Sequence, residues 1–241
     1  MHSRRQRAGL LLAFLCLAAG AWACESPLGI DTPRQQYLEG IGDPVAAEIG
    51  EPVSIVIDTS SGTSAFSAAL VFDGSGGVLP PNSEAMKRAG DAFIDSLDGE
   101  NDEAAVICFN STVTVFQRMT PDPLALRNAV NALPIVGATA MWDGIYTAVL
   151  AVQSQARNTR RAVVVVTETG DNSSGTGTPQ RIIALARSAN IALYTISLRV
   201  SKDESALAEL AAQTGGSHHR LPALGDLEDI YRDIAHTLKN L

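Results

Sequence analysis

The sequence predicts an α/β fold: a doubly wound, mostly parallel sheet with one antiparallel edge strand and helices on both faces. Strand-like apolar runs alternate along the chain with segments whose apolar residues recur at helical spacing. The run "AVVVVT" at 162–167 is almost entirely apolar, which is typical of a parallel strand covered by helices on both faces. Two strands within 104–117 are joined at Asn110 and Ser111. This connection is too short for a parallel crossover, so the pair is predicted to be antiparallel.

The predicted domain begins with the strand 66–73, "FSAALVFD", in which apolar residues dominate. Helical spacing predicts a helix over 83–98, and the double proline at 80–81 is expected to keep this helix from starting earlier. After the antiparallel pair, apolar residues three and four positions apart predict two more helices, around 126–133 and 145–152.

The second half of the domain continues the alternation after the strand 162–167. A helix is predicted to open at Thr178 and Pro179, because threonine caps helix N-termini and proline suits the first turn. A later helix is predicted to end at Gly215 and Gly216, since glycine is the preferred residue just after a helix. The remaining elements are, in order, the strand 191–198, the helix 207–214, the strand 217–222 and the helix 227–238.

The first 23 residues have the pattern of an export signal. A positively charged start, "MHSRRQR", is followed by the apolar run "AGLLLAFLCLAAG" and then by small residues. The apolar run is too short for a good membrane span, and a buried N-terminal helix fits these flanks less well. Residues 1–23 are therefore predicted to be a signal peptide.

Cys24 leaves two routes of export open. The small residues at 21 and 23 suit ordinary secretion, whereas the cysteine suits a bacterial lipoprotein in which it becomes the lipidated first residue. Ala21 stands where the usual lipoprotein motif prefers leucine. A disulfide between Cys24 and Cys108 would require a mobile tail to reach a core strand. We therefore expect Cys108 to be buried and inert, and the protein to be lipid-anchored in the cell envelope or periplasm, with secretion as the alternative.

Residues 24–65 are predicted to be a tether with a possible extra strand. They show no clear period at first and contain proline and glycine, as linkers do. The run "PVSIVID" at 52–58 is strand-like and is a candidate to form a hairpin with the strand 66–73.

Charge and composition argue against nucleic acid as a partner. The chain of 241 residues carries a formal net charge of −8, and removal of the three arginines in the signal would lower it to −11. No basic run lies outside the N-terminus, and aromatic residues make up 5% of the chain, which leaves little surface for stacking on bases. The composition thus favours a protein partner over nucleic acid, with membrane contact only through the lipid anchor.

A glycine-rich loop follows the first strand, in the stretch "LVFDGSGGVLPPN" at 70–82. A dinucleotide-binding loop would need a third glycine where Leu79 stands, and no lysine of a nucleoside triphosphate loop follows. The nearby prolines are also expected to keep the helix N-terminus away from a phosphate. This loop is therefore not predicted to bind a nucleotide.

Three strand-end loops together point to another kind of site. They are "DGSGG" at 73–77, "GATAMWDG" at 137–144 and "TETGDN" at 167–172. Their order and spacing, together with the C-terminal helix-strand-helix, resemble the von Willebrand factor type A (vWA) domain over residues 66–241. In that family a metal-ion-dependent adhesion site takes D-x-S-x-S from the first loop, a threonine from the second and an aspartate from a "TDGxDN"-like third loop.

The resemblance implies candidate metal-site residues, with two departures from the pattern. Asp73, Ser75 and Thr139 match, but Gly77 lacks the second serine hydroxyl, and Glu168 replaces the aspartate. Magnesium demands near-ideal octahedral oxygen geometry, which the longer glutamate side chain would disturb. We therefore expect a degenerate site without a physiological metal. The alternative is a weak or rearranged site for Mg²⁺ or Mn²⁺.

The resemblance also implies a protein-interaction module that binds its partner through the strand-end loops. Trp142 is a candidate anchor, although it is equally able to pack its loop onto the sheet. Asp143, Asp171 and Asn172 are further candidate contacts, and the polar loop 169–178 has the composition of a recognition surface.

Other functions are less favoured by the residues. A divalent-metal hydrolase would need a general base near Asp73, and the strand-end loops offer acids but no histidine. His218 and His219 alternate along a strand, which favours surface histidines over a metal site. The loop "DGSGG" also lacks the G-x-S-x-G pattern of a serine nucleophile. A structural subunit of an envelope complex differs from the interaction module only in the permanence of association.

Overall fold

The computed structural model describes residues 64–221 and 224–240. The predicted signal peptide, the tether, Cys24 and the candidate strand at 52–58 lie outside these residues. The elements alternate as expected and are, in chain order, β1 (Phe66–Asp73), α1 (Pro80–Asp95), β2 (Glu103–Phe109), β3 (Val113–Thr120), α2 (Pro123–Asn131), α3 (Met141–Gln155), β4 (Arg160–Thr167), α4 (Pro179–Ser188), β5 (Ile191–Ser197), α5 (Glu204–Thr214), β6 (His218–Arg220), a 3-10 turn (Leu224–Asp226) and α6 (Leu227–Asn240).

The six strands form one sheet in the order β3-β2-β1-β4-β5-β6. Every neighbouring pair is parallel except β2 with β3, so the predicted fold class is confirmed. The chain first builds the sheet outward from β1 to β3 and then returns to the other side of β1 with β4. Such a switch point opens a crevice at the carboxyl ends of the two strands, and Asp73 ends β1 there.

The core consists of two apolar layers, one on each face of the sheet. Along β1, Leu70 and Phe72 face the layer under α1, α2 and α6, whereas Ala69 and Val71 face the layer under α3, α4 and α5. Tyr231 of α6 stacks on the Phe72 ring, with centroids 6.4 Å apart. Because β1 and β4 are covered on both faces, their ends are held firmly in place beneath the crevice.

Helix α1 begins earlier than the sequence suggested. It starts at Pro80 rather than near residue 83, because proline has no N–H to satisfy and its fixed φ suits the first helical turn. Leu79, the N-cap residue, has no capping side chain of its own. Its N–H donates instead to Oε2 of Glu168 at 2.9 Å. A distant loop therefore caps this helix.

Other predicted boundaries are confirmed. The Thr178 hydroxyl accepts a hydrogen bond from the N–H of Arg181 and so caps α4. Gly215 ends α5 with a φ of 82°, a left-handed conformation that favours glycine. Within the described ranges, no helix is both long and apolar enough to cross a membrane.

Cys108 lies buried in β2 and is a free cysteine. Burial, and secondarily the charge of Asp73, raises the pKa of the Cys108 thiol to about 12. The thiol is therefore protonated at neutral pH and unreactive, as the sequence led us to expect.

Candidate functional site

Asp73 is buried at the end of β1 and is surrounded by hydrogen-bond donors. Its Oδ1 accepts from the N–H and the hydroxyl of Ser75, at 3.0 and 2.6 Å. Its Oδ2 lies within 3.2 Å of the backbone nitrogens of Glu168 and Thr169 and of the hydroxyls of Thr167 and Thr169. Hydrogen bonds of this kind, made to a charged acceptor, offset the cost of burying the carboxylate.

Three hydroxyl groups meet beside this carboxylate. The Oγ1 of Thr169 lies 3.0 Å from the Oγ of Ser75, 3.0 Å from the Oγ1 of Thr139 and 3.0 Å from the Oδ2 of Asp73. We call Ser75, Thr139 and Thr169 the hydroxyl cluster. The structure thus brings together Asp73, Ser75 and Thr139, which the sequence singled out, and adds Thr169, which it did not.

Glu168 contributes to this site through its backbone, while its side chain points elsewhere. Its N–H donates to Asp73, but its Oε2 accepts from the N–H of Leu79. Its Oε1 lies 3.7 Å from the Arg199 guanidinium and makes no hydrogen bond. The structure therefore brings Asp73, Ser75 and Thr139 together, and it directs the carboxylate of Glu168 to Leu79 and Arg199 instead.

Gly77 lies directly against Thr169. A Cβ atom added at Gly77 would be 2.8 Å from the Cγ2 of Thr169. The Thr169 methyl group therefore fills the space that a side chain at position 77 would need.

The second and third strand-end loops are fastened to each other. The N–H of Thr139 donates to Oδ1 of Asn172 at 2.8 Å, and the carbonyl of Thr139 accepts from the N–H of Asn172 at 2.9 Å. Oδ1 of Asp171 accepts from the N–H of Trp142 at 3.3 Å. Asp171 and Asn172 therefore brace the loops, whatever contacts they also offer a partner.

Trp142 points inward, and Asp143 bonds the backbone of a neighbouring loop. Trp142 is 7% exposed and packs in the core below α3, so the structure favours the alternative in which it holds its loop on the sheet. The carboxylate of Asp143 accepts from the N–H groups of Gly175, Thr176 and Gly177. Partial burial works to raise the pKa of Asp143, but these three hydrogen bonds outweigh it and hold the pKa below its usual value.

Large apolar side chains are exposed around the hydroxyl cluster. They lie in three loops at the carboxyl-end edge of the sheet, and we call them the apolar rim: Leu79 (52% exposed), Ile135 (39%), Val136 (58%) and Val200 (62%). The N–H of Leu79 donates to the carboxylate of Glu168, and the N–H of Val136 donates to the carbonyl of Gly74 at 2.8 Å. The sequence did not lead us to predict this rim, although large apolar residues inside polar loops were a signal for it.

The two histidines of β6 serve separate contacts. His218 lies 2.8 Å from the Thr195 hydroxyl and 3.1 Å from a carboxylate oxygen of Glu204, and His219 lies 2.8 Å from the Ser217 hydroxyl. Both are half-buried rather than fully exposed. Nothing in these contacts favours a shared metal.

The donor set at the hydroxyl cluster consists of the Asp73 carboxylate and three hydroxyls that already contact it or one another. Among the described side chains, Asp73 supplies the carboxylate within hydrogen-bonding distance of the cluster. Across the described residues, no group of three or more His, Cys, Asp or Glu side chains is arranged to hold a metal. A cation held about 2.1 Å from the Ser75 and Thr139 oxygens would also compete with the Thr169 hydroxyl for the space beside them.

Comparison with solved structures shows the same fold in several proteins. A vWA protein from Catenulispora acidiphila is similar with a TM-score of 0.65 at 19% identity, over 73% of this chain and 43% of that one. The zinc-occupied form of proximal thread matrix protein 1 from the mussel byssus gives 0.61 at 20%, over 73% and 46%. The vWF domain of the pilus tip protein Mfa5 from Porphyromonas gingivalis gives 0.58 at 10%, over 73% and 95%. The chain thus spans less than half of the first two proteins.

Comparison of the sequence with curated proteins finds no match. Comparison with family models agrees with the fold. The family model described as the von Willebrand factor type A domain matches residues 69–233, more than half of the chain. This match covers all six strands except the first three residues of β1. The chain belongs to the von Willebrand factor type A domain family.

Proposed function

We propose that this chain is a protein-interaction module that binds a protein partner through the loops at the carboxyl ends of its parallel strands. The apolar rim is the observation that carries the proposal. Seven large apolar side chains are exposed in the described part of the chain, and four of them belong to the rim. Apolar groups gathered at one surface of a soluble domain mark interaction sites, because burying them against a partner removes them from water.

The polar groups near the rim indicate the chemistry of the partner. A cleft of about 380 Å³ beside Val200 is lined by Arg199 and Lys202, both exposed. Acidic groups also lie near this cleft: Oε1 of Glu168 is 3.7 Å from the Arg199 guanidinium, and Asp203 accepts from the N–H of Asp171. Arg199 and Lys202 both remain exposed, so they can contact a partner that presents apolar side chains flanked by acidic ones.

Interaction is favoured over catalysis at this edge. In the described residues, the strand-end loops contain no histidine, and the thiol of Cys108 is buried and protonated. The carboxylate of Asp73 is buried and accepts hydrogen bonds on both oxygens. Among the described residues, this surface thus offers neither a histidine base nor a reactive thiol.

We further propose that the domain works outside the cytoplasm, anchored by a lipid on Cys24. The support is the signal-like pattern of residues 1–23 and the position of the cysteine directly after it. The same fold occurs in proteins described as a pilus tip protein and a minor pilin, and this supports a cell-surface role in the proposal. Plain secretion is the alternative.

The proposal is tested by site-specific photo-crosslinking in cells that make the protein. A photoreactive residue at Val136 or Val200 is expected to capture the same partner, whereas one at Leu124 is not. Leu124 is a matched control because it is 66% exposed but lies in the first turn of α2, at the end of the sheet opposite to the rim. Val136→Asp is expected to abolish the adduct formed at position 200, and Leu124→Asp is expected to leave it intact. Equal adducts at 124, or none at the rim, would contradict the proposal.

A further inference from the structure

We propose that the Thr169 hydroxyl takes the place of a cation at this site, so that the loops are held in their arrangement without a metal. The inference starts from an exchange between two loops. Gly77 stands where the family pattern has a serine, and Thr169 stands where the "TDGxDN" pattern has a glycine. One hydroxyl is lost from the first loop, and one is gained in the third.

The geometry shows that the two changes depend on each other. The Cγ2 of Thr169 lies 2.8 Å from the position of a Cβ at Gly77, so the threonine fits only because residue 77 has no side chain. Threonine is branched at Cβ, and its χ1 is restricted. Placing the methyl group against Gly77 therefore fixes the direction of the hydroxyl, which points at Asp73, Ser75 and Thr139.

The protons of the cluster can be assigned so that each hydroxyl donates once. Ser75 donates to Oδ1 of Asp73, Thr139 donates to Oγ1 of Thr169, and Thr169 donates to Oδ2 of Asp73. None of these oxygens is among the buried polar atoms without a partner in the described residues. These three protons serve three of the four contacts, and the 3.0 Å contact between the Ser75 and Thr169 oxygens has no proton of its own. A divalent cation would have to break at least the bonds made by Thr169.

The charges agree with this assignment. A divalent cation at the cluster would meet one carboxylate, that of Asp73, because Glu168 directs its own towards Leu79 and Arg199. The remaining positive charge would be poorly solvated beside Ser75 and Thr139, which are both buried, and this is costly. Donation from neutral hydroxyls and backbone N–H groups stabilises the single negative charge of Asp73 without adding a second charge.

The experiment measures Mn²⁺ binding by electron paramagnetic resonance and the melting temperature in EDTA or in MgCl₂, on the purified chain. The wild type is expected to leave millimolar Mn²⁺ free and to melt at the same temperature in both buffers. Thr169→Val keeps the branched shape but removes the hydroxyl, so its melting temperature is expected to fall by on the order of 5 °C. Thr169→Ser keeps the hydroxyl and is expected to lose less.

Binding of Mn²⁺ by the wild type at micromolar concentration would by itself overturn the inference. If the wild type binds Mn²⁺ at micromolar concentration and Thr169→Val loses that binding, the Thr169 hydroxyl is a metal ligand and not its replacement. If the melting temperature of Thr169→Val equals that of the wild type, the hydroxyl does not hold the loops. The inference uses the proposed function only to assign this edge to partner binding, and crosslinking at Val136 tests that assignment separately.

Discussion

The contact between Gly77 and Thr169 yields a quantitative prediction. Gly77→Ser introduces a Cβ that would lie 2.8 Å from the Cγ2 of Thr169, closer than real Cβ contacts allow. Gly77 is not among the glycines with positive φ in the described residues, so serine meets no backbone strain there. The cost is therefore the overpacking alone, about 1–3 kcal/mol of unfolding free energy.

A double-mutant cycle separates this clash from other effects. Thr169→Ala removes the methyl group that Gly77→Ser would strike, so the double variant is expected to be more stable than the sum of the two single losses predicts. The expected coupling is about 1–2 kcal/mol, within the range found for residues in contact. Urea denaturation followed by circular dichroism supplies the unfolding free energies of the four proteins.

Gly175→Ser is the matched control for the substitution itself. Gly175 lies in the same group of strand-end loops, and a Cβ there would meet nothing within 4 Å. Its free energy of unfolding is expected to stay within about 0.5 kcal/mol of wild type. If Gly77→Ser is no worse than Gly175→Ser, or if its effect simply adds to that of Thr169→Ala, Thr169 does not fill the space of the missing side chain.

Three further predictions concern the anchor, the buried carboxylate and the half-buried histidine. Cys24→Ser is expected to stop the mature protein from partitioning into detergent or to leave the precursor uncleaved. Detergent phase separation and mass spectrometry measure these two outcomes. Asp73→Asn replaces a carboxylate oxygen by an N–H₂ group, which cannot accept the hydrogen bonds that the carboxylate receives from backbone N–H groups. It is expected to lower the unfolding free energy by about 3 kcal/mol in urea denaturation. Burial, and next the His218 charge, lowers the pKa of His219, against the opposing effect of Asp233, so the unfolded chain binds this proton more readily. Stability should therefore fall as the pH drops below about 6.5, and less so in His219→Asn.

Much of the fold could be predicted because the pattern of apolar residues is local. The continuous valine run of β4 and the helical spacing of α6 each identify an element without knowledge of its neighbours. The predicted start of α1 was wrong because proline suits the first turn of a helix and does not delay it. Glu168, a residue of another loop, also accepts the N–H of Leu79 at this helix end, and no local pattern shows that contact.

The candidate site was predictable in part for a related reason. Asp73, Ser75 and Thr139 follow a pattern that can be matched along the chain. The importance of Thr169 depends on its contact with Gly77, which only the folded loops reveal. The sequence left open whether Trp142 anchors a partner or packs its loop onto the sheet, and the fold places its ring in the core. Sequence patterns identify which loops meet, whereas side-chain direction is decided by packing.

The size of the apolar rim connects the proposed partner binding with the proposed anchor. Complete burial of a large apolar side chain contributes about 1.5–3 kcal/mol, and the rim residues are already about half covered. Burial of the rim should thus contribute about 4 kcal/mol of binding free energy. This only equals the lower end of the free-energy cost of association, about 4–15 kcal/mol.

Additional affinity has to come from Arg199 and Lys202 or from a high local concentration of the partner. Tethering two modules raises their effective concentration to about millimolar, which converts a weak contact into a stable one. A domain that has replaced its cation by the Thr169 hydroxyl lacks the strong charge that would otherwise attract an acidic partner. Attachment to the membrane through Cys24, next to a partner in the same envelope, would compensate for that loss. By this argument, a chain released from the membrane should keep its fold and its rim but capture much less of its partner.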